Sequence, residues 1–145
     1  MGLAGDKPVY PIPTLEALAY NLTDRECIII PALDARRNQV YTAVFESKDG
    51  RITRIKEDCA MAVDEVCQMF AEYEGQDIYI LGDGAYLFNG IDRVCFAKGE
   101  SLYPQGVSIA KATINHSAVS AKDIKLSYLR VSQAERELKE KQKND

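Results

Sequence analysis

Two short polar segments hold the residue types in this sequence that could carry chemistry. The first is Asp34-Ala35-Arg36-Arg37-Asn38, in which a carboxylate stands just before two adjacent arginines. Arginine presents a planar fork of N–H donors that fits a phosphate or a carboxylate. Asp34, Arg36 and Arg37 are therefore candidates for contact with RNA, a nucleotide or a protein partner. In the structural alternative, the carboxylate accepts hydrogen bonds from turn N–H groups, and the arginines pair with nearby acids or face solvent.

The second segment is Gly82-Asp83-Gly84, which follows a short apolar run. Glycine-rich turns between a strand and a helix can surround a phosphate with backbone N–H groups. A single G-x-G is a weak signal, however, and three interpretations stay open. Gly82 and Gly84 could form a tight turn that needs glycine at positive φ, the segment with Asp83 could be a vestigial nucleotide site, or it could bind ATP.

Hydrolytic metal chemistry has little support in the sequence. Zinc hydrolases need two or three His or carboxylate ligands at suitable spacing. His116 is the only histidine, and it lies in a polar stretch that predicts a solvated loop. We therefore predict no catalytic residue, no metal and no cofactor in this chain, and protease activity is not expected.

The four cysteines form no C-x-x-C pair, and three of them stand in apolar runs. A catalytic cysteine needs an electropositive neighbourhood and a nearby base, and these surroundings offer neither. We expect small buried apolar residues instead. The four are Cys27, Cys59, Cys67 and Cys95.

The totals limit the classes of function. The chain has 145 residues, which suggests one domain, and a net charge of −4. A protein that binds RNA over a wide surface usually carries a basic excess, because phosphate neutralisation supplies most of the affinity. Any RNA contact should therefore be indirect or confined to a small patch. No apolar run reaches the ~18 residues that a membrane span needs, no signal peptide is visible, and we expect a cytoplasmic protein.

The first half of the chain should position the Asp34 segment in a hairpin. A helix is predicted with Thr14 as its N-cap and an end near residues 21–24. Strands are predicted at 27–33, 39–45 and 51–56, the first as a continuous apolar run typical of a strand buried on both faces. The simplest arrangement is three antiparallel strands in succession.

The second half should place the glycine turn after a further strand. A helix is predicted over 62–73 with a stop at Gly75, then a strand at 77–81, a helical turn at 85–88 and a strand at 94–97. Residues 99–106 are predicted as a loop and 107–114 as a helix, whereas 120–130 is ambiguous. Ser132 and Glu135 form a capping box for a charged C-terminal helix or tail at 132–145. The βββαβα order predicts an α/β, ribonuclease-H-like half of the actin-like ATPase superfamily, with a mixed sheet of about five strands and helices packed on it.

Several sequence strings, in this order and spacing, resemble the TsaB (YeaZ) family. The most specific are Asp-Ala-Arg-Arg-Asn-Gln-Val-Tyr at 34–41 and Tyr-Leu-Arg at 128–130. The others are Gly-Leu-Ala at 2–4, Pro-Thr-Leu-Glu-Ala-Leu-Ala at 13–19, Gly-Asp-Gly-Ala at 82–85 and Ala-Glu at 134–135. The resemblance covers residues 2–138. Arg130, after Tyr128, is predicted to be a structural anchor for the C-terminal segment.

The resemblance implies a scaffold rather than an enzyme. Members of the family are degenerate actin-like proteins that pair with a TsaD-like catalytic subunit and a TsaE-like ATPase. Together these subunits transfer a threonylcarbamoyl group to an adenosine beside the tRNA anticodon. The family begins with a first ribonuclease-H-like lobe, and this chain is expected to be the second lobe alone, with Met1 as a new start.

Two other classes of function stay open. One is a nucleotide-binding ATPase or phosphotransferase of the same superfamily, and the other is a protein-interaction module unrelated to tRNA. If the first lobe is absent, apolar surface that it would cover is exposed, and such surface favours association. We therefore expect a homodimer through the first helix or an open sheet edge.

Overall fold

The computed structural model describes Gly5 and residues 7–125 of the chain, and its centre is a mixed five-stranded sheet. The strands are β1 (Cys27–Asp34), β2 (Gln39–Lys48), β3 (Arg51–Ala62), β4 (Ile78–Leu81) and β5 (Val94–Phe96), in the order β3-β2-β1-β4-β5. β1, β2 and β3 are antiparallel neighbours, whereas β4 pairs parallel to β1 and β5 parallel to β4. The predicted mixed sheet with three consecutive antiparallel strands is confirmed.

Within residues 7–125, three α-helices accompany the sheet, each extended by a turn of 3₁₀-helix. They are α1 (Thr14–Ala19, continued by Tyr20–Leu22), α2 (Val63–Met69, continued by Phe70–Tyr73) and α3 (Gly106–Ala112, continued by Thr113–Asn115). Further 3₁₀ turns occupy Ala85–Phe88, Gly99–Leu102 and Ala121–Asp123. Within the described part of the chain, no helix is long and apolar enough to span a membrane.

β1 is buried on both faces, as its continuous apolar run predicts. Ile28 and Ile30 face the cluster beneath α2, which includes Val66. Cys27 and Ile29 face the opposite cluster beneath α1, which includes Leu18 and Phe45. Because alternate residues of a strand point to opposite faces, the central strand joins two apolar layers into one core.

The edge strand β3 is longer than predicted and is irregular. It continues to Ala62, whereas the sequence predicts an end at Lys56. Its pairing with β2 shifts twice, so that Val44 pairs with Lys56 and the next residue, Phe45, pairs with Arg54. Ile55 is the extra residue of this bulge and is exposed. The bulge explains why apolar and charged residues alternate imperfectly here.

Two other predictions need correction. Thr14 is the first helical residue and not the N-cap: Pro13 holds the N-cap position, and its carbonyl accepts a hydrogen bond from the Ala17 N–H at 2.9 Å. The predicted loop at 99–106 contains a 3₁₀ turn, and α3 begins at Gly106. The ambiguous segment 120–130 includes the turn Ala121–Asp123. Tyr128, Arg130 and the capping box of Ser132 and Glu135 lie outside the described residues.

Candidate functional site

The fold brings the two polar segments together at one end of the sheet, where β1 and β4 terminate. β1 and β4 are parallel neighbours, so their carboxyl ends meet there. The Asp34 backbone N–H donates to Oδ1 of Asp83 at 2.9 Å, and the Tyr86 hydroxyl donates to Oδ2 of Asp34 at 2.9 Å. We call this place the β1–β4 corner; its residues are Asp34, Arg36, Arg37, Asp83 and Tyr86.

Asp34 organises the turn that follows it. Its Oδ1 accepts a hydrogen bond from the Arg36 backbone N–H at 2.7 Å. This bond, and the second one from the Tyr86 hydroxyl, lower the pKa of the Asp34 carboxyl below its ordinary value. The same hydroxyl bond is the main cause of a raised pKa at Tyr86. Asp34 therefore has the structural role that the sequence left as one of two interpretations.

The hairpin tip holds three consecutive residues in the left-handed region. The φ angles of Arg36, Arg37 and Asn38 are 67°, 54° and 56°. This conformation costs a non-glycine residue about 1–2 kcal/mol, because Cβ approaches the following carbonyl. Neighbouring elements hold the tip: the Gln39 N–H donates to the Arg36 carbonyl at 3.1 Å, and the Val63 N–H donates to the Asn38 carbonyl at 3.1 Å.

The side chains of Arg36 and Arg37 are exposed. No carboxylate among the described residues lies within ion-pair distance of either guanidinium. Arg54, by contrast, pairs with Glu16, and Arg93 donates to the carbonyls of Phe70 and Tyr73. Of the two outcomes in the structural alternative, the arginines face solvent rather than pair with acids of the described chain, and their contact with a ligand stays a prediction.

The glycine turn is packed directly against β1. A Cβ on Gly82, whose φ is +106°, would overlap the Ala32 carbonyl oxygen, and one on Gly84 would lie 2.9 Å from the Asp34 nitrogen. The Gly84 N–H donates to the Ala32 carbonyl at 3.0 Å, and the Ala85 N–H donates to the Gly82 carbonyl at 3.1 Å. Two of the amides that a phosphate would need are thus used within the chain, which favours the tight-turn interpretation.

A second polar cluster, which the sequence analysis does not predict, lies between α1 and β3. Glu16 is buried, and its Oε2 is 3.3 Å from Nη2 of Arg54. Arg54 also pairs with Asp58, and its guanidinium lies 4.6 Å from the centre of the Phe45 ring. One sequence signal for this cluster is Glu16 itself, an acid inside the apolar stripe of a helix. Its partner Arg54 could not be predicted, because 38 residues separate the two.

His116 belongs to this second cluster. Its Nε2 lies 3.1 Å from both carboxylate oxygens of Glu16, and its side chain is 24% exposed. The prediction of a solvated loop histidine is therefore wrong, because the segment after α3 returns to α1. The contact is far from the β1–β4 corner in the fold: it lies on the α1 face of the sheet, where Asn115 also donates to the Tyr20 hydroxyl.

The cysteines are all free, but only Cys27 is buried; the other three are partly exposed, in contrast to the prediction. Burial raises the pKa of the Cys27 thiol to about 11 and is also the main cause of raised pKa values at Cys59 and Cys67. A raised pKa disfavours the thiolate that nucleophilic chemistry needs. Within residues 7–125 and Gly5, no group of three or more His, Cys, Asp or Glu side chains is arranged to hold a metal ion.

Comparison with known proteins gives a consistent picture. The family model of TsaD, tRNA N6-adenosine threonylcarbamoyltransferase, matches residues 1–144. The Bacillus subtilis tRNA threonylcarbamoyladenosine biosynthesis protein TsaB is 27% identical over 143 residues, which are 95% of this chain and 62% of that protein. The resemblance to TsaB is thereby confirmed. The chain spans less than two thirds of the relative's length.

Two solved structures from Pseudomonas aeruginosa share the fold. YeaZ superposes with a TM-score of 0.65 at 18% identity, over 88% of this chain and 62% of that one. An uncharacterized protein with similarity to peptidase YeaZ superposes with a TM-score of 0.69 at 19% identity, over 89% of this chain and 62% of that one. The predicted ribonuclease-H-like half of an actin-like fold is confirmed.

Proposed function

Because the chain belongs to the family of TsaD, tRNA N6-adenosine threonylcarbamoyltransferase, we propose that it serves the formation of threonylcarbamoyladenosine in tRNA. Its role there is that of a non-catalytic subunit that supports a TsaD-like catalytic subunit in the cytoplasm. The observation that carries the proposal is the similarity to TsaB over 95% of the chain.

The bonding of the polar groups at the β1–β4 corner favours a non-catalytic role. The polar groups of Asp34, Asp83 and Tyr86 bond to one another and to the backbone. A general base or nucleophile must instead be directed at a substrate. The two side chains of the corner that have no ion-pair partner among the described residues are guanidiniums, which bind anions but do not transfer protons at neutral pH.

We propose that the described residues form one lobe of a two-lobe protein, and the 62% coverage of TsaB supports this division. In this proposal, the lobe presents surface to other protein subunits, a TsaD-like one and a TsaE-like ATPase, and meets tRNA only through them. Self-association of the lobe would use the open edge of β3. The apolar residues of α1 are already buried, and they offer no surface for pairing.

A second candidate is nucleotide binding, since the fold is that of actin-like ATPases. The observation that bears on it is the glycine turn, whose Gly84 and Ala85 amides donate within the chain. Titration of the full-length protein with ATP and Mg²⁺ by calorimetry separates the candidates. The scaffold proposal predicts no saturable binding below about 1 mM, and tighter binding would favour the ATPase.

The direct test of the scaffold proposal is association. The purified full-length protein should bind the TsaD-like subunit of the same organism in analytical ultracentrifugation at micromolar concentrations. Lysozyme of similar size, at the same ionic strength, is the control for non-specific contact. If no complex forms at about 50 µM, the binding free energy is weaker than about −6 kcal/mol, and the proposal is refuted.

A further inference from the structure

The hairpin tip presents two charged side chains from a backbone that is held in place. Arg36 and Arg37 are held in left-handed backbone conformations by bonds to the Asp34 carboxylate and Gln39, and their guanidiniums have no ion-pair partner among the described residues. Strained backbone that the surroundings maintain is concentrated at binding sites. The rigid backbone also reduces the conformational entropy that a complex would lose.

An exposed aromatic ring lies at the same corner as the two arginines. Tyr86 is 56% exposed, although it stands only two residues after the packed glycine turn. Its hydroxyl donates to Asp34, so the ring is held in place while its faces remain open to solvent. Tyrosine and arginine contribute much of the binding energy at protein interfaces, and an ordered tyrosine loses little freedom when it is covered.

The charges around the corner favour a protein over RNA. Asp83 is exposed beside the tip and Asp34 lies at its base, so two carboxylates offset the two guanidiniums locally. The whole chain carries −4. A nucleic acid brings a charge with every nucleotide, so its repulsion from these acids accumulates along the strand. An acidic protein segment need bring only one or two carboxylates, and each can meet a guanidinium through two parallel hydrogen bonds.

We propose that the β1–β4 corner docks an acidic segment of a protein partner, with Arg36 and Arg37 on its carboxylates and Tyr86 packed against its backbone or an apolar side chain. This inference rests on the proposed scaffold function and names the surface through which one protein subunit is bound. The docking surface is distinct from the Glu16–Arg54 cluster, which is closed within the lobe.

The test is a titration of the full-length protein with three probes from the same organism: the TsaD-like subunit, the TsaE-like ATPase and unmodified tRNA. The variant Arg36→Glu/Arg37→Glu reverses both charges and keeps L-residues at both strained positions. Arg51→Glu is the matched control. Arg51 is also exposed and has no ion-pair partner in the described chain, but it stands at the other end of β2 and β3, ~30 Å away at 3.3 Å per residue.

We expect the double variant to bind one of the two protein probes at least tenfold more weakly, with Arg51→Glu within twofold of the wild type. Tyr86→Phe keeps the ring but loses the bond that holds it to Asp34, so it should lower the affinity less than Tyr86→Ala does. Unchanged thermal unfolding of the variants shows that the lobe is intact. The inference is overturned if the double variant binds both proteins as tightly as the wild type does. It is also overturned if the double variant loses affinity only for tRNA. No binding of either protein by the wild type refutes the proposed function instead.

Discussion

The hydroxyl of Tyr86 donates a hydrogen bond to Oδ2 of Asp34 at 2.9 Å, across 52 residues of chain. With the Asp34 N–H bond to Asp83, it ties the β1–β2 hairpin to the turn after β4. The bond shifts the two pKa values in opposite directions, downward for Asp34 and upward for Tyr86. The corner is therefore most stable between the ordinary pKa values of the two groups.

The first prediction concerns the stability that Asp34 contributes and its loss at acid pH. The pKa of Asp34 is lower in the folded state, so its contribution to stability is present above the ordinary value of about 3.9 and is lost as pH falls through the folded value. Asp34→Asn should lower the urea midpoint at pH 7, and the difference from wild type should shrink steadily below pH 4. The control, Asp49→Asn, lies in the β2–β3 turn, and the Asp34 contribution should be lost over the same acid range in that variant. An equal difference at pH 7 and pH 2.5 would contradict this role for Asp34.

The second prediction concerns the glycine turn. Gly82→Ala should destabilise the fold by about 3 kcal/mol, because the new methyl group overlaps the Ala32 carbonyl and the backbone is at positive φ. Gly90→Ala is the control: its φ is +82° but nothing lies within 4 Å, so only backbone strain of about 1 kcal/mol applies. Chemical unfolding measures both variants. If both variants lose the same free energy of unfolding, the close packing against β1 does not require glycine at position 82.

The third prediction concerns the cluster that the sequence did not reveal. Glu16→Ala should lower the free energy of unfolding by about 2 kcal/mol, less than for a fully buried pair because Arg54 remains 22% exposed. Glu72→Ala removes the exposed partner of Lys56 and should cost less than about 0.5 kcal/mol. A Glu16 variant as stable as the Glu72 variant would refute the structural role of this cluster.

The fourth prediction separates folding from binding at the hairpin. Arg37→Gly relieves a left-handed conformation that glycine adopts freely and should stabilise the lobe by about 0.5–1 kcal/mol. The same change removes a guanidinium and should weaken the protein partner's binding. The control is Arg37→Ala. It also removes the guanidinium, but alanine keeps the backbone strain of the left-handed conformation. A Gly variant less stable than the Ala variant would show that the tip is not strained in solution.

The sheet was accessible from the sequence because its signals are local. The apolar run of β1, the polar break at 34–38 and the Asp49-Gly50 turn each specify their structure within a few residues. The edge strand was harder. Its bulge at Ile55 moves Arg54 toward α1 and Lys56 toward α2, and only pairing with β2 determines that shift.

The candidate site was predicted in part. Asp34, the arginines and the glycine turn stood out by residue type, but their contact required the parallel pairing of β1 with β4. Tyr86 was missed, because nothing beside it in the sequence indicates a bond to Asp34. The left-handed tip was also missed, since arginine carries no signal for positive φ. His116 was misplaced because its partner Glu16 is 100 residues away.

A supporting role in threonylcarbamoyl transfer can be tested in one reconstituted assay. Unmodified tRNA, threonylcarbamoyl donor, ATP, the TsaD-like subunit and the TsaE-like subunit are combined with or without the full-length protein, and the modified adenosine is quantified by mass spectrometry. We expect product only when this protein and the TsaD-like subunit are both present, and none from this protein alone. Equal product without this protein, or product from it alone, would contradict the claim.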